Sequence, residues 1–129
     1  METRLNIEIG ADEFKATLTK RLSPKTVEAL VEALPIESEA KKWGDELYFD
    51  VPVDMAEENA QEIVSKGDIG YWPTGNALCI FYGKTPISES ETEIRPVSAV
   101  NIVGSFEEPN RLKMIDPKTG EKIRIVMEG

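Results

Sequence analysis

The sequence predicts a mainly β protein whose short strands close, or nearly close, into a barrel capped by one or two short helices. Three observations carry that prediction. Apolar and polar residues alternate in short runs along the chain, turn-forming residues interrupt the runs at frequent intervals, and only two segments carry a helix signature. A length of 129 residues suits one domain over residues 1–129, since globular domains most often run to about 100–150 residues.

The elements follow in order. Leu5-Asn6-Ile7-Glu8-Ile9 alternates, Gly10 to Glu13 interrupts, and Phe14-Lys15-Ala16-Thr17-Leu18 resumes, which predicts a two-stranded hairpin with one buried face. Ser23-Pro24 reads as a helix start, the hydroxyl placed to cap free amides and the proline where its missing N–H costs nothing. Val27, Leu30, Val31 and Leu34 then share a helical face, and Pro35 closes the segment. Residues 43–53, WGDELYFDVPV, are rich in aromatic and β-branched side chains and predict extended chain, with Pro52 marking a strand end or edge. Asp54 followed three residues later by Glu57 resembles a capping box and predicts a short helix over 55–64. Ile69 to Trp72 and Ala77 to Tyr82 predict strands about the turn Pro73-Thr74-Gly75-Asn76. Residues 83–96, with Pro86, Pro96 and the run SESETE, predict a long surface connection suited to a rim or lid. Pro96 to Val103 predicts a strand, Glu107 to Asn110 a break, and Leu112 to Ile115 and Ile123 to Met127 a strand pair about the turn Asp116 to Gly120.

Charge and residue absences narrow the chemistry. A net charge of -9 repels phosphates, so nucleic acid and anionic membrane surfaces are not expected partners. Residues 1–66 hold 15 acids against 8 bases and residues 67–129 hold 9 against 7, an asymmetry that most simply marks a solvated acidic face. One cysteine excludes an intrachain disulfide and fits a reducing compartment. METRLNIEIG lacks the apolar run of a signal peptide, and no stretch approaches the roughly 20 apolar residues of a membrane helix, so a cytoplasmic protein is expected. The absence of histidine removes Ser-His-Asp and Cys-His nucleophile systems and the commonest metal ligand, so no metal site is expected. Gly67, Gly70 and Gly75 lack the spacing of a phosphate-binding loop, and no cofactor is implied. Cys79, between Leu78 and Ile80, reads as a small core hydrophobe. The carboxylate pairs Asp45-Glu46, Glu57-Glu58 and Glu107-Glu108 read as solvated surface, as does SESETE.

The remaining signal is aromatic: Trp43, Tyr48, Phe49, Tyr71, Trp72, Phe81 and Tyr82 fall in two regions of the chain. On alternating strands Tyr71 and Trp72 face opposite sides, as do Phe81 and Tyr82, so one of each pair fills the barrel and the other is free to line an outer groove. Beside the polar Thr74 and Asn76 of the turn, such a wall suits a small molecule or an extended peptide.

The stretch GDIGYWPTGNALCIFYGKTP, with Glu57-Glu58-Asn59-Ala60 before it and Asn101-Ile102-Val103-Gly104 after it, resembles a family of small prokaryotic proteins of largely uncharacterised function with a cyclophilin-like barrel. The resemblance runs from the first strand to the last and implies eight strands closed by helices. It also invites the peptidyl-prolyl isomerase activity of cyclophilins proper. Their catalytic arginine sits in a Phe-His-Arg run that has no counterpart here, and their Gln-Gly-Gly-Asp-Phe segment survives only as the Gly-Asp of Lys66-Gly67-Asp68-Ile69. Arg95, at the end of the long loop, is the arginine placed nearest a barrel rim. The expected site is a binding groove formed by Phe49, Trp72, Thr74, Asn76, Tyr82 and Arg95, with no catalytic residue assigned. The alternatives are a prolyl isomerase that uses Arg95 and an interaction module or homodimer that uses a sheet edge or the acidic N-terminal half.

Overall fold

In the computed structural model, which describes residues 2–129, the alternation at the start of the chain becomes a hairpin. β1 (Glu2–Ile9) and β2 (Asp12–Thr19) pair antiparallel. Leu5, Ile7 and Ile9 on the first and Phe14, Ala16 and Leu18 on the second are buried, because successive side chains on a strand point to opposite faces. α1 (Pro24–Ala33) covers the sheet with Val27 and Leu30 buried and Val31 and Leu34 packed beside them. Its cap differs from the expected one. The Ser23 hydroxyl donates to the Glu58 carbonyl (3.0 Å), and the Glu58 carboxylate accepts the free N–H groups of Lys25 (3.1 Å) and Thr26 (2.9 Å). These donors hold the Glu58 carboxyl below the ordinary glutamate range.

The chain continues through β3 (Ile36–Glu39), β4 (Lys41–Lys42), β5 (Glu46–Asp50), β6 (Asp68–Trp72), β7 (Ala77–Phe81), β8 (Asn101–Phe106), α2 (Pro109–Ile115) and β9 (Lys122–Met127). Hydrogen bonding orders the strands β3-β9-β1-β2-β8-β6-β7-β5-β4. The two ends of that order are separated in the chain only by Ala40. Ala40 itself stays bound to the β9 side, its N–H on the Glu121 carbonyl and its carbonyl on the Gly120 N–H, both at 2.8 Å. β3 and β4 therefore act as one bent strand that leaves β9 and joins β5, and the nine segments make an eight-membered circuit, a nearly closed barrel.

Three expectations are corrected. Residues 55–64 form no helix, because tertiary partners take the amides that a helix would use. Met55 N–H donates to the Tyr71 hydroxyl (3.0 Å) and Glu58 N–H to Asn101 Oδ1 (2.8 Å), while Gln61 bridges Val100 and Val64 bridges Ile94. The second helix lies instead over 109–115, where a strand from Leu112 to Ile115 was expected. Leu112 is fully buried and Met114 is 86% exposed, a contrast that a strand, with residues i and i+2 on one face, does not produce. The strand expected at Pro96 to Val103 begins only at Asn101 and runs on to Phe106. No helix among the described residues is long and apolar enough to cross a membrane.

Buried side chains form two clusters, one on each face of the barrel wall. The larger fills the barrel and includes Phe14, Leu47, Phe49, Ile69, Tyr71, Leu78, Ile80 and Tyr82. The smaller, Val64, Cys79, Phe81, Ile94 and Val100, lies against the outer side under the loop that precedes β8, with Tyr48, Trp72 and Ile102 packed on it. That loop is less of a surface connection than its polarity predicts. Thr85 and Ile94 are buried, and the Ser88 hydroxyl accepts the N–H groups of both Thr85 (3.0 Å) and Arg95 (2.9 Å).

Barrel closure brings β8 so close to β2 that Gly104, opposite Leu18, leaves no room for a side chain: a Cβ there would stand 2.1 Å from the Thr17 carbonyl oxygen. Gly104→Ala is expected to lower the unfolding free energy by about 3 kcal/mol, since the obstacle is backbone and cannot rotate aside. Urea unfolding of the two proteins measures this, and a change below about 1 kcal/mol would contradict the close approach of β2 and β8.

Candidate functional site

The period of two decides which aromatic side chains reach the outside of the barrel. Leu47 and Phe49 face inward on β5, so Glu46 and Tyr48 face outward; Ile69 and Tyr71 face inward on β6, so Trp72 faces outward. On β7 and just beyond it, Leu78, Ile80 and Tyr82 face inward while Cys79 and Phe81 face outward. Tyr48 lies opposite Cys79 and Glu46 opposite Phe81, so Glu46 and Cys79 are diagonal neighbours on one outer surface.

On that surface lies a cleft of about 180 Å³. Glu46, Tyr48 and Cys79 come from the sheet beneath it, Trp43 and Trp72 from its sides, and Pro96, Val97 and Val100 from the loop above. The rings of Tyr48 and Trp72 meet edge to face, 6.3 Å between centroids and 87° between planes. The Trp72 indole N–H donates to the Ser98 hydroxyl at 2.6 Å, which ties the loop to the wall. Gly75 is needed for this arrangement, because a Cβ on it would stand 2.4 Å from the Trp72 ring.

Glu46 sets the electrostatics of the cleft. It is 5% exposed, and its Oε1 has no hydrogen-bond partner. Among the described residues no cation pairs with it, whereas neighbouring Asp45 binds Lys113 at 3.4 Å. Burial pushes its carboxyl up to about 7, against the opposing pull of a hydrogen bond from the Cys79 thiol. The expectation that Asp45-Glu46 is simply solvated therefore fails for Glu46. Cys79 is buried as expected but on the outer face rather than in the barrel. Burial first, and then the Glu46 charge, push its thiol well above the ordinary range, which leaves it a weak nucleophile.

Of the six residues expected to form a groove, the structure brings one, Trp72, to this cleft. Phe49 and Tyr82 are in the barrel core, 0% and 1% exposed. Thr74 is exposed on a single 3-10 turn (Pro73–Gly75). Asn76, left-handed at φ 49°, donates from its amide to the Tyr71 hydroxyl (3.0 Å), Asp54 Oδ1 (3.2 Å) and the Val53 carbonyl (3.3 Å), which fastens the 53–54 segment to the turn. Arg95 is half-buried, and the adjoining Pro96 rather than Arg95 lines the cleft. Sequence reasoning missed Trp43, Tyr48 and Glu46 as lining. The signal for the last two was the inward pair Leu47 and Phe49, which leaves Glu46 and Tyr48 on the other face.

A larger groove of about 620 Å³ runs beside β1, β3 and β9. It is open, and its charges answer one another, Arg124 with Glu8 (3.8 Å) and Glu37 (3.5 Å) and Lys41 with Asp50 (4.0 Å). The remaining charges, Glu39 and Lys122, are exposed to water, and no buried polar atom among the described lining residues lacks a partner, so the smaller cleft is the candidate site. Among the described residues no three Cys, Asp or Glu side chains gather as metal ligands would.

Comparison with known proteins agrees with this architecture. The family profile described as Cyclophilin-like matches residues 3–126. The solution structure of the hypothetical protein AF2241 from Archaeoglobus fulgidus is 40% identical, covers 98% of this chain and 95% of its own, and superposes with a TM-score of 0.81. McbB, solved in complex with tryptophan, is 16% identical and shares the fold with a TM-score of 0.74 over 97% of this chain and 45% of its own. Among curated proteins no relative was found.

The raised Glu46 carboxyl makes stability depend on pH. Between the ordinary value of 4.5 and about 7 the folded chain keeps a proton that the unfolded chain releases, so stability falls as pH rises through this window. The full effect above pH 7 is on the order of 3 kcal/mol. Glu46→Gln, which has nothing to titrate, is expected to gain roughly 1–3 kcal/mol on the parent between pH 5 and pH 8. Urea unfolding at both pH values reads the difference, and equal offsets at the two would mean that Glu46 is solvated.

Proposed function

The chain belongs to the cyclophilin-like family, and we propose that it is a binding domain that holds a compact apolar group of a small molecule or extended peptide in the outer cleft, with Glu46 as its polar anchor. The observation that carries this reading is the unpartnered Oε1 of a buried carboxylate in a cleft otherwise lined by Trp43, Tyr48, Trp72, Cys79, Pro96, Val97 and Val100. Apolar walls with one or two convergent polar groups are the usual make-up of ligand sites. A buried acceptor left without a donor costs about 1–3 kcal/mol, a penalty that a ligand N–H or O–H relieves. The volume, about 180 Å³, is close to the ~150 Å³ of an engineered cavity that takes benzene, so a ring or a branched aliphatic group fits and a nucleotide does not. McbB offers a parallel in fold only: that protein was solved with tryptophan, an aromatic molecule that carries an amine.

Titration of the 15N-labelled protein with a library of metabolites and short peptides tests the proposal. Binders are expected to shift the amides of Trp43, Glu46, Tyr48, Trp72 and Val97 first, and Trp72→Ala is expected to weaken them about tenfold through loss of a ring worth ~1 kcal/mol or more. A library that shifts no amide in this group, or shifts only the groove beside β9, would sink the reading.

A further inference from the structure

We propose that the group the cleft recognises is a primary or secondary ammonium carried on a compact apolar body, with the Glu46 carboxylate accepting its N–H and the rings of Trp43, Tyr48 and Trp72 flanking the cation. The inference rests on the reading of the cleft as a ligand site and narrows it to one chemical class. Glu46 is 95% withdrawn from solvent, one of its oxygens has no partner, and no cation pairs with it among the described residues. An ionised carboxylate in that position lacks the counter-charge that buried charges otherwise have. A ligand that brings the positive charge supplies both missing partners, the N–H and the charge. Aromatic faces attract cations, tryptophan most strongly, and the Tyr48 ring already holds the Lys41 ammonium 5.8 Å from its centroid.

A neutral ligand would use the same acid differently. Protonated Glu46 would donate to a carbonyl oxygen, and affinity would rise on acidification, whereas an ammonium needs the ionised form and loses affinity. The other titratable groups about Glu46 are the Cys79 thiol from β7, the Tyr82 hydroxyl beyond it and the Tyr48 hydroxyl beside the cleft, with Asp45 adjacent in the chain and bound to Lys113. The Cys79 and Tyr82 groups are both pushed upward, so of the three acids Glu46, Cys79 and Tyr82 only Glu46 changes charge between pH 6 and 8.

The chain's 2 tryptophans both line the cleft, so intrinsic fluorescence reports it directly. Titration with benzylamine, benzyl alcohol and benzyltrimethylammonium at pH 6 and pH 8 is the test. Benzylamine is expected to bind about tenfold more weakly at pH 6 than at pH 8, as a carboxyl titrating near 7 requires. Benzyl alcohol and benzyltrimethylammonium, lacking respectively the charge and the N–H, are expected to bind at least tenfold more weakly than benzylamine at pH 8, and Glu46→Gln to abolish the amine preference. The peptide Phe-Ala-Ala and its N-acetylated form separate the two sources of such an amine: tight binding of the free form alone supports a peptide amino terminus, and binding of benzylamine but of neither peptide supports a small free amine. If the alcohol or the quaternary ammonium matches benzylamine, or benzylamine tightens at pH 6, the amine assignment is overturned while the cleft stands. If no probe changes the fluorescence at either pH, the binding cleft itself is overturned. The pH series uses only the unaltered protein and so does not depend on the folding of the variant.

Discussion

Everything outside the barrel depends on how the barrel closes. β3 and β4 stand at opposite ends of the strand order yet are separated by Ala40 alone, so the strand that finishes one edge must bend and begin the other. Ala40 makes the bend possible by keeping both backbone groups paired with residues 120 and 121 while its small side chain is 1% exposed. Closure removes the open edges on which unpaired amides would be exposed. It also assigns every strand an inside and an outside. Once Leu47, Ile69 and Ile80 are inside, Tyr71, Phe49 and Tyr82 must follow them, and Glu46, Tyr48, Trp72, Cys79 and Phe81 must face out.

That outer face carries too much apolar surface to stay bare, and Val64, Ile94 and Val100 from the irregular segments before β6 and β8 cover it, while Val51 and Val53 pack on the barrel core. These segments stay irregular because their backbone groups are satisfied at long range. Asn101, fully buried, accepts the Glu58 N–H at 2.8 Å and donates to the Ala56 carbonyl (3.0 Å) and the Thr26 hydroxyl (3.1 Å). One amide thus joins β8, the 56–58 segment and the start of α1. The Glu58 carboxylate completes the link by capping that helix. A polar cluster of this kind has value only when each member is satisfied, and all of these bonds have ordinary lengths.

Glu46 breaks that rule, and the contrast gives it meaning. Buried polar groups such as Asn101 and Thr26 have found partners, whereas two among the described residues have not: the Tyr82 hydroxyl in the barrel core and one oxygen of Glu46, the latter in a cleft lined by three aromatic rings. A residue that lowers stability above neutral pH, with only a thiol hydrogen bond to offset its burial, is the kind of local inconsistency that tends to mark functional sites. The loop above it is tied down by the bond from Trp72 to Ser98 and by the Thr85, Ser88 and Arg95 hydrogen bonds. These bonds fix the walls of the cleft, which would lower the ordering cost of the binding proposed for it.

What the sequence determined by itself was whatever depends on neighbours in the chain. The hairpin at residues 2–19, the helix begun by Pro24, the turn at 73–76 and the burial of Cys79 all follow from periodicity and turn chemistry, which act over a few residues. The many short strands and frequent turns predicted a barrel, and the resemblance around residues 67–86, which is not a local pattern, implied the same one. Tertiary structure alone decided the rest. The capping box at Asp54 lost to Tyr71 and Asn101, which compete for the same amides from across the fold, and Pro109 became a helix start only when Leu112 had a core to enter. Period two showed that Tyr71 and Trp72, or Phe81 and Tyr82, must part. Which of the last two went inside waited on the register of β5 with β7, since all five residues 77–81 are buried and alternation is silent where both faces are covered. For the same reason a glutamate written next to an aspartate looks like surface in the sequence. Only the loop folded over it from fifty residues downstream makes it the floor of a cleft.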